Sequence, residues 1–229
     1  MDKKRLVLTV GVVAATILAV QSITASNMGF KLNKALSQAG AGTPVSLTGR
    51  YFVALPDNRQ TGLNNAKNLI DDLGLAQTNR VERFKTDTDT YEFYSGRSLQ
   101  SGQVNFALTA GEGFRVRMNT TVNYIIVGSD DPAIAYTLNA AGSGSPVSLS
   151  GRNIFAYNYH QTSANAKQLI DEIGLANVNR LERYKTDTDT FEFYSGRSLQ
   201  SGQVNFALTP GEAIRIRMNT TTAYTPSHY

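Results

Sequence analysis

NAKNLIDDLGLAQTNRVERFKTDTDTYEFYSGRSLQSGQVNFALTAGEGFRVRMNTT, Asn65 to Thr121, recurs without a gap as NAKQLIDEIGLANVNRLERYKTDTDTFEFYSGRSLQSGQVNFALTPGEAIRIRMNTT, Asn165 to Thr221. At an offset of 100 residues, 45 of 57 positions are identical. Upstream, TPVSLTGR (Thr43 to Arg50) matches SPVSLSGR (Ser145 to Arg152) at an offset of 102. A period of this length is far longer than a solenoid repeat and matches a self-standing domain. The expected organisation is therefore two tandem domains, 27–132 and 133–229, behind an N-terminal segment, 1–26.

Within each copy, Ala66, Leu69, Ile70 and Leu73, and again Ala166, Leu169, Ile170 and Ile173, fall at i, i+3, i+4 and i+7. That spacing predicts one short amphipathic helix per copy, closed by Gly74 or Gly174. Phe114, Val116 and Met118 alternate with Arg115 and Arg117, as do Ile214, Ile216 and Met218 with Arg215 and Arg217, the period of a half-buried strand. YFVAL, TYEFY and VNYIIV add further strands, separated by the turn signals TDTDT, SGRSLQSG and TPGE. The predicted class is α+β, mainly β: two tandem small β-sandwich or barrel-like domains, each with one short helix.

Composition narrows the function. With no cysteine in 229 residues, disulfides, thiol nucleophiles and thiolate metal sites are excluded. Of the net charge of +4, the first five residues contribute +2, and elsewhere bases alternate with acids, as in RVERFKTDTD. Nucleic-acid binding, which needs clustered Lys and Arg, is not expected. MDKKR, the uncharged run Leu6 to Val20 and the small-residue stretch QSITAS have the order of a secretory signal. Fifteen apolar residues form a helix of about 22 Å, short of the ~30 Å bilayer core, so cleavage is expected over retention as an anchor, and no stable membrane span should remain.

The apolar strand ending in ALP (Ala54 to Pro56), the NAKNLIDDLGL helix, the TPGEAIRIRM turn and strand, and the closing IIVGSDDP together resemble a repeated β-rich domain of secreted or surface-attached bacterial proteins of unassigned function. The resemblance implies an extracellular repeat module and brings no catalytic residues with it. The second copy departs from the pattern by ending in TAYTPSHY.

Candidate chemistry is sparse. No HExxH, GxSxG or Walker-type loop occurs, and the two histidines lie outside the repeated pattern, so no enzyme and no resident cofactor is expected. Asp87, Asp89 and Glu92, with Asp187, Asp189 and Glu192, place hard oxygen ligands close together and could take Ca²⁺, but they lack the glycine and terminal bidentate glutamate of a full calcium loop. A hairpin turn in which Asp and Thr accept backbone hydrogen bonds accounts for the same letters. Arg80, Arg83, Arg115 and Arg117 recur as Arg180, Arg183, Arg215 and Arg217, and cross-strand pairing with Glu82 and Glu92 is favoured over an acidic-glycan grip. Asn119 and Asn219 satisfy the N-glycan acceptor pattern, which also suits a strand-end turn. The copies differ most around YNYHQT, making Tyr157, Tyr159 and His160 the candidate partner or glycan contact. Met28, Phe30 and Leu32 alternate as a strand that could pair with a neighbouring molecule or with its own domain.

The expectation is a secreted, non-enzymatic structural surface protein, a subunit of an extracellular fibre, layer or coat, whose partners are further copies of itself or other surface components. The alternative is a glycan-binding or adhesive module that takes polysaccharide. Export with cleavage predicts that mass spectrometry of the native protein finds an N-terminus near Ser26 or Asn27. An intact Met1 form confined to membranes would reject it.

Overall fold

Ala66, Leu69, Ile70 and Leu73 form the buried side of helix α1, Ala66–Leu73, and their counterparts form that of α2, Ala166–Ile173. Asn65 and Asn165 cap the two N-termini, each side-chain oxygen accepting from the amide three residues on at 3.0 Å. Gly74 and Gly174, at φ 95° and 102°, end them in a conformation that residues with a Cβ rarely adopt. Eight residues are too few to hold helical form in water, so each helix depends on the strand beneath it. The computed structural model describes residues 29–59, 62–97, 101–157, 159–197 and 201–227.

Helix α1 lies on β4 (Thr78–Lys85) and α2 on β10 (Val178–Lys185). β4 forms a hairpin with β5 (Thr90–Tyr94); its other edge takes β6 (Gly113–Met118), which then takes β2 (Arg50–Ala54), all antiparallel. The second copy repeats this with β10 between β11 (Thr190–Tyr194) and β12 (Glu212–Met218), and β9 (Arg152–Tyr157) on the far edge of β12. Glu212 of β12 is also in register with Val53 of β2, so one sheet of order β11-β10-β12-β2-β6-β4-β5 runs through both copies. The α+β, mainly β class is the one observed, and its largest sheet crosses the boundary between the repeats.

Strand alternation gives this sheet two faces. Val53, Val81, Phe114, Val116 and Met118 join α1 in one core; Phe155, Leu181, Ile214, Ile216 and Met218 join α2 in another. The intervening residues Phe52, Ile154 and Ala213 point the opposite way and form a third cluster, ringed by Phe84, Tyr91, Tyr184 and Phe191.

Smaller sheets flank the large one. β1 (Phe30–Leu36) pairs with β7 (Val122–Ser129) along its whole length, from Phe30 opposite Gly128 to Leu36 opposite Val122, with β3 (Asn58–Arg59) on the other side of β7. In the second copy the corresponding small sheet consists, among the described residues, of β8 (Tyr136–Leu138) paired with β13 (Thr222–Tyr224). The donor-strand role considered for Met28, Phe30 and Leu32 is corrected here: Phe30 and Leu32 belong to a strand paired within its own chain, because β7 offers an antiparallel edge close at hand, while Met28 lies outside the described residues. The expected export segment also lies outside them, and among the described residues no helix is long and apolar enough to cross a membrane.

Leu69 and Leu169 are 1% and 0% exposed. Truncation removes apolar contacts and leaves a cavity, so Leu69→Ala and Leu169→Ala should each cost about 2 to 5 kcal/mol, read as a drop in the urea midpoint. A shift no larger than that of a surface substitution would show that the helices are not the lids of these cores.

Candidate functional site

The hairpin turns TDTDT reach across to the other repeat. Asp89 and Asp189 sit at φ 53° and 54°, the left-handed region that aspartate tolerates better than most residues. The Asp189 carboxylate accepts from Arg50 Nη1 at 3.1 Å, from Thr48 Oγ1 at 3.3 Å and from the Tyr184 hydroxyl. Burial opposes its ionisation, but these donors and the Arg50 charge win and hold it below its ordinary value. Reciprocally, Asp89 accepts from Arg152 Nη1 at 3.0 Å and Ser150 Oγ at 2.6 Å.

The backbone follows the same two-fold logic. Leu47 N–H donates to the Thr186 carbonyl and Leu149 N–H to that of Thr86, both at 2.8 Å. Ala54 N–H donates to Gly211 O and Ala156 N–H to Gly111 O, both at 3.0 Å. Glu212 faces Val53, and Glu112 faces Phe155. Each of these contacts made by the first repeat on the second is returned by the second on the first, which is the pattern of an isologous interface within one chain.

Beside this seam Arg80, Arg83 and Arg115 of the stripe, with Arg180, Arg183 and Arg215, are paired. Glu82, 3% exposed, lies between Arg115 and Arg80, and Glu182 between Arg215 and Arg180. Arg115 stacks 3.8 Å from the centre of the Tyr91 ring and Arg215 3.6 Å from that of Phe191. Arg83 and Arg183 bind Glu92 and Glu192. The cross-strand pairing favoured from the sequence is what these side chains do.

Two equivalent clefts open where the repeats meet. One, of about 610 Å³, is lined by Lys34, Tyr51, Arg183, Tyr184 and Glu212; the other, of about 450 Å³, by Phe84, Glu112, Tyr136 and Asn153. Tyr136 occupies the place that Lys34 holds in the first cleft, lying against Gly111 as Lys34 lies near Gly211, and its phenol donates to Asp57. Burial lowers the Lys34 pKa and raises those of Glu112 and Glu212 to about 7. Arg83, the Thr109 hydroxyl and Glu92 face Glu112, while Lys34, Arg183 and Glu192 face Glu212.

Several expectations are corrected at this point. The calcium reading of Asp87, Asp89, Glu92, Asp187, Asp189 and Glu192 gives way because these acids diverge to separate bases: Lys85, Arg152, Arg83, Lys185, Arg50 and Arg183 in turn. Among the described residues no three acids or histidines converge as metal ligands. Tyr157 is no surface aromatic: it is 3% exposed, its phenol donating to the Ser163 and Gln161 carbonyls. Tyr159 stacks on Phe30 at 5.0 Å, and the His160 N–H donates to Asp130 at 2.9 Å, so this divergent loop packs on the first repeat. Asn119 and Asn219 close strand-end turns, their side-chain amides donating to the carbonyls of Ala76 and Ala176.

Comparison with protein-family models, curated proteins and solved structures finds no match to this chain.

The half-buried carboxyls of Glu112 and Glu212 give the seam a pH dependence of definite sign. Between the ordinary value of 4.5 and about 7, the folded chain holds protons that the unfolded chain has released. Their contribution is full below the unfolded value and is lost as pH rises through the folded one. The urea midpoint should therefore fall between about pH 5 and about pH 8, and Glu112→Gln with Glu212→Gln should flatten that decline. An unchanged slope in the double variant would assign the effect to other groups.

Proposed function

We propose that this chain is a secreted, non-enzymatic structural protein, a subunit of an extracellular fibre, layer or coat. One observation carries the reading. The charged and hydroxyl side chains that recur between the copies, Arg50, Asp89, Arg152 and Asp189 with Thr48 and Ser150, are engaged in joining one repeat to the other. A reactive centre needs polar groups converging on space where a substrate can sit. Groups locked into reciprocal ion pairs and a continuous sheet instead make a stiff block that tolerates load, which suits a construction unit. The absence of cysteine fits a module held by packing and hydrogen bonds alone.

A glycan-binding module is the alternative, and the larger cleft, with Lys34 and Tyr51 in its wall, is the place a sugar would enter. Size-exclusion chromatography and electron microscopy of the purified mature protein separate the two readings. A construction unit should elute well above the 24.9 kDa of one chain or appear as filaments or sheets. A strictly monomeric protein retained on a polysaccharide resin would reject it in favour of the sugar binder.

A further inference from the structure

The seam is made from two nearly equal surfaces, yet at its centre they are not equal. Gly113 of β6 stands where the second repeat has Ala213. A Cβ at Gly113 would lie 2.3 Å from the Ala213 Cβ and 2.7 Å from Ile154 Cγ2, closer than real Cβ atoms come. Two second-repeat surfaces would therefore collide at this point, Ala213 against Ala213. Two first-repeat surfaces would lose the Ala213 methyl and set Phe52 against Phe52 where Phe52 and Ile154 now share one buried cluster. The fit favours a first repeat with a second and disfavours like with like.

Nothing in that fit requires the two repeats to lie on one polypeptide. The reciprocal bonds run from residues 47–54 and 149–156 to residues 86–111 and 186–211, and the connection from β7 to β8, residues 130–135, supplies none of them. We propose that the seam is an exchangeable joint, in which the first repeat of one chain pairs with the second repeat of another. This rests on the reading of the chain as an assembling subunit and names that subunit's partner: a second copy, joined head to tail. In dilute solution the tethered repeat wins by effective concentration, and at high local concentration exchange produces closed dimers or open chains.

Full-length chains with complementary substitutions test it. One chain carries Gly113→Ala, which overfills its own seam. The other carries Ala213→Gly with Ile154→Ala, which clears both atoms that the added methyl would meet and leaves a hole in its own seam. A control carries all three changes together. Each of the first two, alone, should unfold at lower urea than the native protein, and the control should recover as a monomer. Unfolded in urea, mixed with one chain isotope-labelled and diluted, the first two should form mixed dimers by native mass spectrometry, with a midpoint near the native value. In such a dimer one seam is filled knob-in-hole and the other is native.

Unmixed chains beside a recovered control would show that the seam closes only within a chain and would overturn the joint. Filaments of the native protein would then still support the subunit reading, by another contact. A native midpoint for Gly113→Ala, or a control that fails to recover, would overturn the assignment of Gly113 and Ala213 as the determinants of pairing.

Discussion

The face of the large sheet turned away from the helices carries Phe52, Ile154 and Ala213 with Phe84, Tyr91, Tyr184 and Phe191 around them, and that face must be hidden from water. Among the described residues each repeat has one helix, and it lies on the other face. Among the described residues, the apolar surface that covers the remaining one is the same surface of the other repeat, so the two approach through it. Fully burying side chains such as Phe52 and Ile154 contributes roughly 1.5 to 3 kcal/mol each, far more than the half-exposed ion pairs around them. Apolar burial therefore drives the approach, and the polar groups determine its register.

That division of labour is visible in the charges. Arg50 with Asp189, and Arg152 with Asp89, have side chains 18% to 31% exposed, where an ion pair in water is worth little. Their value is geometric, since each holds a hairpin tip at the start of a strand in the other repeat and so fixes which residues of β2 and β9 meet β12 and β6. Glu82 and Glu182 are nearly dry, and each lies between two arginines, both of which also lie over an aromatic ring. Removing a single member of such a set would leave a buried charge without its counterpart, which is costly even where the intact set adds little net stability.

The parts legible in the sequence were those governed by local periodicity. The helices could be read from Leu69 and Leu169 with their neighbours, and β6 and β12 from alternation with arginine, because burial against one's own repeat imposes a strict period. The pairing of Arg83 with Glu92 followed from strand adjacency. The seam was not legible, because its contacts join residues about 60 to 140 positions apart and no local pattern records which repeat an aspartate will face. One signal was present: SLTGR and SLSGR keep their arginine and hydroxyl in both copies, and TDTDT repeats unchanged. Asp89 and Asp189 resembled metal ligands because a carboxylate in a turn looks the same whether a cation or a guanidinium satisfies it. Tyr157 was misread for a related reason, since variability between copies marks a change of neighbour as readily as an exposed position.

The differences between the copies then acquire a physical meaning. Two identical repeats would place identical side chains on either side of a two-fold axis, and a methyl lying on that axis would meet its own image. Gly113 opposite Ala213 and Phe52 beside Ile154 relieve this, with bulk on one side matched by space on the other. Away from the axis, Tyr136 fills its cleft and donates to Asp57, whereas Lys34 leaves a larger cleft on the opposite flank. Positions that serve both halves alike, the TDTDT turns and their arginines, gain nothing from divergence, because a change in either copy would break a contact that the other returns. Substitution is thus most constrained at the returned contacts and most informative at the axis, where small changes of volume determine which surface each repeat accepts as its partner.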